Sequence, residues 1–384
     1  MFGEKNPNDG VNKKIHTQIS TLIHLGIEVE MILVVKESLQ YPSYDYLTMY
    51  TVGASQREKI IERIKRVRDI RRVFRNCVKS LGRDDILYCR YTNLSLFYYS
   101  FNYLKKLRLC KLVTEHQTIE SNEDKLKNDF LPYICDKIFG GFFRGQSDAI
   151  VGVTNEITHY QLIRSGDPNK PHITIGNGIE VKSCSMRQSP IFDGENIDLL
   201  CVANVSKWHG LDRLLKGMAT YSGNTRIILH IAGEGAELPL LKQLVEKFNL
   251  QNRVIFHGFK TGEDLDALFD SCHIAVGSIG IHRIGLNEAS ILKAREYCAR
   301  GIPYIIACAD PDFQDDFPYI HRVPPDESPA DIEKIIEFAQ TVCADLDHPR
   351  KMRAYALEHL DWSMKMKKLK AFLETLIDEP KPPS

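Results

Sequence analysis

The stretch that decides the fold is Gly285-Leu-Asn-Glu288-Ala-Ser-Ile-Leu-Lys293-Ala-Arg-Glu296-Tyr-Cys-Ala-Arg-Gly301-Ile-Pro303. It lies between two short aliphatic runs, His273–Ser278 and Pro303–Ala309, which predict β-strands. The segment between them reads as a loop followed by a helix that begins near Ser290. A strand, a helix and a second strand in succession predict parallel strands joined by a right-handed crossover.

The same alternation continues along the rest of the chain. Gaps between the strand-like runs have amphipathic helical spacing, as in Leu238, Leu241 and Val245. Two series of this kind predict two doubly wound, Rossmann-like domains. The other strand-like runs are Glu28–Val35, Asp85–Tyr91, Cys110–His116, Ala149–Thr154, His172–Ile175, Ile197–Val205, Arg226–Ala232 and Arg253–Phe259.

A chain of 384 residues suits two domains. The periodicity breaks between Lys182 and Pro190, so we expect one domain over 1–185 and a second over 186–360. A last helical stretch within 361–384 is expected to return to the N-terminal domain. Only nine residues precede Gly10, where a glycine turn and helix begin, and the first strand therefore looks truncated. This observation suggests a native start upstream of Met1.

The composition, with 43% hydrophobic and 26% charged residues, is typical of a globular protein. Its formal net charge of zero gives no overall attraction to nucleic acid. No apolar run is long enough for a membrane span, and the polar start does not resemble a signal peptide. The 10 cysteines include no CxxC pair, which favours reduced thiols in a cytoplasmic protein over disulfides or a zinc site.

Two carboxylates in the opening stretch are placed to bind a polar ligand. Glu288 lies before the predicted helix, and Glu296 lies about two turns into it. The unpaired N–H groups of a helix start bind phosphate, and a carboxylate can accept hydrogen bonds from a ribose diol or from sugar hydroxyls. Lys293 adds a cation. A solvated helix with incidental charges is the alternative.

These residues resemble the donor-binding motif of glycosyltransferase family 4, whose members are retaining enzymes of the GT-B fold. Glu288, Glu296, Gly301 and Pro303 match the pattern. Five further segments resemble the family in the same order, from Gly10 to about Leu376: Asp9-Gly10-Val11, Ile175-Gly-Asn177-Gly178-Ile179, Lys207-Trp-His-Gly210, Leu229-His-Ile-Ala-Gly233-Glu-Gly235 and Val254-Ile-Phe-His-Gly258-Phe. The resemblance implies an α/β, GT-B architecture, with two Rossmann-like domains facing a central cleft that closes over the substrates.

The resemblance also assigns roles to residues. Glu296 is expected to bind the donor ribose and Glu288 the sugar hydroxyls, with His116, at a strand end, touching the donor sugar. Glu288 and His116 are the predicted catalytic residues. Further donor contacts, chiefly to the pyrophosphate, are implied for Gly10, Asn204, Lys207, His209, Ser290, Ile291 and Lys293. The donor is expected to be a UDP- or GDP-sugar, with no cofactor and no metal required.

Three departures from the family pattern affect the donor side. Asn204 and His209 stand where the family has an arginine and a lysine, and Ala289-Ser290 replaces a Phe-Gly pair. Lys207 or Arg213 could supply the lost charge, because phosphate requires cations but not one fixed side chain. Packing and capping are the alternative roles for Trp208 and His209, as a structural role is for His116.

The expected acceptor is a glycan or lipid-linked glycan, because Lys293-Ala-Arg-Glu296-Tyr resembles a branch of the family that builds bacterial surface polysaccharides such as capsule and exopolysaccharide. The basic stretch Arg57–Arg83 predicts either a solvated helix face or a patch attracted to the cytoplasmic membrane surface. No nucleic-acid partner is expected.

Three other functions stay open. A catalytically silent GT-B protein that binds glycan or acts as a scaffold is the main alternative, because of Asn204 and His209. A nicotinamide dehydrogenase shares the doubly wound architecture, but no strand here leads into Gly-x-Gly-x-x-Gly. A two-domain nucleotide-sugar epimerase would also have this fold.

Overall fold

The computed structural model describes residues 2–3, 10–35, 43–51, 60–91, 110–126 and 128–378. The chain forms two compact units, one made of Met1–Gly176 with Trp362–Ser384 and the other of Asn177–Asp361. We call them the N-terminal unit and the C-terminal unit. The domain borders expected from the sequence, at 185/186 and 360/361, stay a prediction.

The N-terminal unit contains two sheets of parallel strands. The first sheet has the order β1-β2-β3, with β1 Phe2–Gly3, β2 Met31–Val35 and β3 Leu47–Thr51. The second has the order β4-β5-β6-β7, with β4 Ile86–Arg90, β5 Lys111–His116, β6 Ala149–Gly152 and β7 His172–Thr174. The helices between them are α1 Gly10–His24, α2 Ile60–Ser80, α3 Glu120–Leu126, α4 Phe130–Gln146 and α5 Asn155–Ser165.

The last helix of the chain, α12 (Trp362–Asp378), belongs to the core of the N-terminal unit. Its Trp362 and Met366 are buried in one cluster with Val113 of β5 and Val151 of β6. The Lys370 ammonium donates a hydrogen bond of 2.6 Å to the Leu25 carbonyl after α1. Apolar side chains at helical spacing therefore anchor the end of the chain on one face of the second sheet.

The C-terminal unit is built on one six-stranded parallel sheet with the order β10-β9-β8-β11-β12-β13. The strand order reverses between β8 and β11, and ligands bind at such a switch point in open α/β sheets. Its elements are β8 Asn196–Val202, α6 Leu211–Thr220, β9 Arg226–Ala232, α7 Leu238–Lys247, β10 Val254–Gly258, α8 Gly262–Ser271, β11 Ile274–Val276, α9 Leu292–Arg300, β12 Tyr304–Ile306, β13 Ile320–Arg322, α10 Ile332–Cys343 and α11 His348–Tyr355, followed by a π-helical turn at Ala356–Leu360.

All ten strand-like runs expected from the sequence contain a strand. Three strands were not expected, namely β1, β3 and β13. β13 has polar His321 and Arg322 beside Ile320 and so forms no aliphatic run, and β1 has two residues. No disulfide forms among the described residues, which include all ten cysteines. Within the described ranges, no helix combines the length and the apolar character that crossing a membrane requires.

Gly233 and Gly235, which follow β9, allow the loop after β9 to pack against the loop after β8. Gly235 has φ of 148°, and a Cβ atom there would lie 2.2 Å from the Val205 carbonyl oxygen. The Val205 N–H donates to the Glu234 carbonyl at 2.5 Å in the same contact. Only glycine fits this position, since any side chain would push the two loops apart.

We predict that Gly235→Ala lowers the free energy of unfolding by about 3 kcal/mol, because it adds a steric clash to an unfavourable backbone conformation. Gly194→Ala is the matched control, since Gly194 also has a positive φ but open space around it, and about 1 kcal/mol is expected there. Urea denaturation measures both. Equal losses in the two variants would show that loop contact is not the constraint.

Candidate functional site

The loops that follow β8 and β11 meet at the carboxyl ends of these two neighbouring strands. The Ile279 N–H donates to the His209 carbonyl and the Gly280 N–H to the Trp208 carbonyl, both at 3.1 Å. Because β8 and β11 flank the switch point of the sheet, these two loops lie where the fold places ligands. They hold most of the residues that the sequence assigned to donor binding.

His209 ends a short 3₁₀ turn, Lys207–His209, and is buried. Its Nδ1 accepts a hydrogen bond of 2.9 Å from the Ser206 N–H, so the proton of the neutral ring lies on Nε2. Burial, and after it the Lys293 ammonium, hold the pKa of His209 well below its usual range. His209 thus caps the turn, as the alternative interpretation held, as a neutral hydrogen-bond donor. Its role in donor binding stays a prediction.

Lys293 occupies the first turn of α9 and is half-buried. Its Nζ lies 4.0 Å from the Cys201 thiol of β8. Burial lowers the pKa of Lys293, and the same effect raises the pKa of Cys201, which keeps the thiol neutral. In the part of the chain that the structure describes, no carboxylate forms an ion pair with Lys293. The site therefore contains a partly desolvated cation for which the described residues provide no counter-ion.

The helix α9 begins at Leu292 rather than near Ser290, and Ile291 precedes it in an extended conformation without a side-chain cap. Ser290 is buried and bonds to Asn177, accepting 2.6 Å from its N–H on Oγ and 2.5 Å from its Nδ2 on the carbonyl oxygen. The Ser290 hydroxyl therefore supports the loop, and no side chain caps the first turn of α9, the kind of helix start that binds anions.

The two predicted carboxylates lie on either side of this helix start. The Glu288 backbone runs parallel to Ala309, with the Ala289 N–H donating to the Ala309 carbonyl at 2.9 Å. Glu296 Oε1 accepts a bond of 2.9 Å from Arg300 Nε, and Arg300 also bonds to Asp266 at 2.6 Å. Both glutamates are half-buried, and Arg300 orients Glu296 through one of its two oxygens.

Arg295, which sequence reasoning did not single out, holds the loop and the helix together. Its guanidinium is fully buried and donates to the Asn177 carbonyl at 2.9 Å, to Asp310 at 2.8 Å and to Asp312 at 2.5 Å. Asn177 also bonds to Ser290. Arg295 and Asn177 together therefore link three segments of the C-terminal unit, namely the segment around Asn177, α9 with the loop before it, and the loop after β12 that contains Asp310.

Arg283 was also missed, and it fixes the loop that contains Lys207. It donates to the Lys207 carbonyl at 2.8 Å, to both oxygens of Asp212 and to Glu327 at 2.6 Å. Hydrogen bonds from Arg283 lower the pKa of Glu327 to about 2. Asn204 and Lys207 themselves are exposed.

Arg213, suggested as a replacement cation for the donor phosphates, does not fill that role in the structure. Its side chain is fully buried, and its guanidinium donates to the backbone carbonyls of Ile279, Pro324 and Ser328. These three carbonyl acceptors use most of the N–H donors of the guanidinium, so Arg213 holds the three backbone segments in place.

In the N-terminal unit, His116 ends β5 and is completely buried. Burial lowers its pKa, and its Nδ1 donates 2.8 Å to the Glu120 carboxylate while Nε2 accepts 3.2 Å from the Thr114 hydroxyl. Its ring stacks on Tyr91 at 4.6 Å. These contacts give His116 a structural role, and its predicted role in catalysis stays a prediction. So does that of Gly10, the first residue of α1.

Residues 184–310 match the family model described as Glycosyl transferases group 1. They form a glycosyltransferase domain. The matched region contains every predicted donor-binding residue of the C-terminal unit. The enzyme class expected from the sequence is thereby confirmed at the level of this domain. A search of curated protein sequences finds no match.

Solved structures that are similar over almost the whole of this chain include glycosyltransferases. Sucrose-phosphate synthase from Thermosynechococcus elongatus superposes with a TM-score of 0.71 at 15% identity, over 97% of this chain and 95% of that one. The lipopolysaccharide outer core galactosyltransferase WaaB gives 0.67 at 14%, over 97% and 98%. HepE from Anabaena with UDP-glucose gives 0.62 at 12%, over 97% and 98%. The GT-B fold is confirmed.

We predict that Arg295→Met lowers the free energy of unfolding by about 3–5 kcal/mol, because it leaves the Asp310 carboxylate buried without its partner. Arg350→Met is the matched control, since Arg350 is exposed and pairs with Asp347 only at the surface, at 3.5 Å, so about 0.5 kcal/mol or less is expected. Chemical denaturation followed by circular dichroism measures both variants. Similar losses in both would contradict the linking role of Arg295.

The neutral state of His209 predicts a pH dependence. In the unfolded chain the imidazole gains a proton below about pH 6.5, whereas the folded one stays neutral, so acid favours the unfolded state. The wild type should lose about 1.4 kcal/mol between about pH 7.5 and 5.5 that His209→Gln does not lose.

His359→Gln is the matched control, since it removes an exposed imidazole instead of the buried one. Denaturant titrations at several pH values measure the difference. Identical pH profiles of the wild type and His209→Gln would mean that the imidazole takes up its proton equally in the folded and in the unfolded chain, which contradicts a neutral buried ring.

Proposed function

We propose that the chain is a retaining glycosyltransferase of family 4 that moves a sugar from a nucleotide sugar to a glycan or lipid-linked glycan. The reaction breaks the bond between the anomeric carbon and the terminal phosphate oxygen of the donor. It forms a bond from that carbon to an acceptor hydroxyl oxygen, which gives up its proton, and releases a nucleoside diphosphate. Retention of configuration follows from the family resemblance.

The observation that carries this proposal is the ammonium of Lys293, half-buried, close to the Cys201 thiol and without a carboxylate partner among the described residues. Holding a desolvated cation without a counter-ion costs free energy, which a bound anion would recover. The N-terminal amides of α9 and the Nε2–H of His209 provide further donors for that anion. A pyrophosphate has the charge and the acceptors to match all three.

Around this anion site the two glutamates define the rest of the donor. Glu296, held through one oxygen by Arg300, keeps the other oxygen for the hydroxyls of a ribose. Glu288, in the loop before α9, is assigned to the transferred sugar. The charge that builds up on the leaving diphosphate is stabilised by fixed dipoles and by Lys293, with Asn204 and Lys207 at the exposed side. Lys293 would thus supply positive charge to the pyrophosphate, whereas His209, at a position where the family pattern has a lysine, is neutral.

The donor and the acceptor class are inferred from similar proteins. HepE is described in complex with UDP and with UDP-glucose, which supports a UDP-sugar ahead of a GDP-sugar. WaaB is named as a galactosyltransferase of the lipopolysaccharide outer core, which supports an acceptor among bacterial surface glycans. We assign the enzyme to the cytoplasm, where nucleotide sugars are available, in polysaccharide biosynthesis.

We predict opposite effects of Lys293→Met on stability and on binding. Removing an unpaired, desolvated ammonium should leave the free energy of unfolding unchanged or raise it by about 1 kcal/mol. Losing a charge-assisted contact should weaken nucleotide binding about ten- to a hundredfold. A thermal-shift panel with UDP, GDP, ADP, CMP and their sugars measures both quantities, since a ligand at about 100 times its Kd adds about 2.7 kcal/mol.

The exposed Lys334 provides the control, because Lys334→Met should change neither quantity. A silent scaffold that binds no donor would give no shift with any nucleotide in folded wild type, and that result would overturn the proposal. Equal nucleotide binding by the wild type and Lys293→Met would remove Lys293 from the site.

A further inference from the structure

The helix α4 exposes large apolar side chains along its whole length. Six of them have between 44% and 69% of their surface exposed, and four recur at every fourth residue, which places them along one side. Lys137 is the exposed charged residue within α4. The six are Phe130, Leu131, Ile134, Ile138, Phe139 and Phe142, and we call them the α4 stripe.

Buried polar contacts fix the orientation of α4. The opposite side of the helix carries Asp136 and Arg144, both fully buried and 2.6 Å apart. Arg144 also pairs with Glu120 of α3 at 3.0 Å and lies over the Tyr91 ring. A Cβ atom at Gly140 would lie 2.4 Å from the Asp136 carboxylate, so glycine makes room for the pair. Turning the apolar side inward would break these buried pairs, and the stripe therefore stays outside.

The helices α2 and α4 cover the same face of the second sheet. Leu112 and His116 of β5 point to one side of that sheet, because their positions differ by an even number. Phe74 of α2 packs near Leu112, while His116 bonds to Glu120, the partner of Arg144 in α4. The outer sides of the two helices therefore face the same way.

The outer side of α2 is basic. Asp69 is the acidic residue among the α2 side chains that the structure describes, and it lies 3.6 Å from Arg72. Residues 57–59 and the side chains of 60–67, part of the basic stretch noted in the sequence, lie outside the described residues. The exposed basic residues of α2 are Arg68, Arg71, Arg72, Arg75 and Lys79.

We propose that this side of the N-terminal unit docks on the surface of an anionic lipid bilayer. The helix α4 is about 25 Å long at 1.5 Å per residue and would lie in the plane of the interface, with the α4 stripe at the boundary of headgroups and acyl chains. The arginines of α2 complement the phosphates of acidic lipids. An apolar stripe beside a basic helix face is the chemistry of an interfacial membrane contact, whereas a protein partner would not require the basic charge.

Vesicle co-sedimentation of the full chain tests this proposal with two lipid compositions, phosphatidylcholine alone and phosphatidylcholine with phosphatidylglycerol. The wild type should bind the anionic vesicles, and Ile134→Asp/Ile138→Asp should lower the apparent affinity at least about tenfold. The matched control Ile191→Asp/Leu346→Asp makes the same change at two exposed residues of the C-terminal unit and should stay within about twofold. Arg71→Gln/Arg72→Gln/Arg75→Gln should remove the preference for anionic vesicles.

All substituted positions are exposed, so melting temperatures should match the wild type and exclude unfolding as the cause. Absence of vesicle binding by the wild type, or equal loss in the control, would overturn the proposal. So would a dimer in analytical ultracentrifugation that Ile134→Asp/Ile138→Asp dissociates, because the stripe would then bind a second copy. Nucleotide thermal shifts should be the same in all these variants, which separates this test from that of the proposed function.

Discussion

The buried ion pair between Arg295 and Asp310 is the constraint on which the candidate site depends. Arg295 projects from α9 and reaches Asp310, just after the segment that pairs with the Glu288 loop, and also the Asn177 carbonyl. Asn177 in turn bonds to Ser290 at the entry to α9. The positions of Glu288, of the uncapped helix start and of Lys293 therefore depend on one desolvated guanidinium. A charge in such a place contributes most by excluding other arrangements, because any displacement leaves a buried carboxylate unpaired.

The proposed anion site combines the topology of the sheet with a local departure from the pattern of glycosyltransferase family 4, which the sequence resembles. The strand order reverses between β8 and β11, and the loops from these strands converge there in every fold of this kind. Within that frame the chain has a neutral imidazole, His209, where a lysine is usual, and an ammonium on the helix. The Lys293 ammonium on α9 keeps positive charge near the expected pyrophosphate. Desolvation of Lys293 strengthens its attraction to a bound anion.

Sequence patterns predicted those strands and helices whose residues repeat with a regular local period. Ten strands, the alternation with helices and the GT-B fold follow from aliphatic runs and ordered motifs, whereas β13, with His321 and Arg322 beside Ile320, forms no aliphatic run. Arg295, Arg283 and Arg213 could not be predicted, because their partners Asp310, Glu327 and Ser328 are separated from them in sequence and meet only in the folded unit. The exposure of the α4 stripe also depends on contacts made only in the folded unit. The apolar side of a surface helix usually faces the core, but the buried Asp136–Arg144 pair turns the apolar side of α4 outward.

Lysine footprinting by acylation and mass spectrometry, with and without the nucleotide that gives the largest thermal shift, tests the central claim most directly. The account predicts that the nucleotide protects Lys293, while the exposed Lys334 keeps its labelling rate. The half-buried Lys293 should label without ligand, which makes its protection measurable. Unchanged labelling of Lys293 under conditions where the nucleotide is bound would contradict the account and place the donor elsewhere.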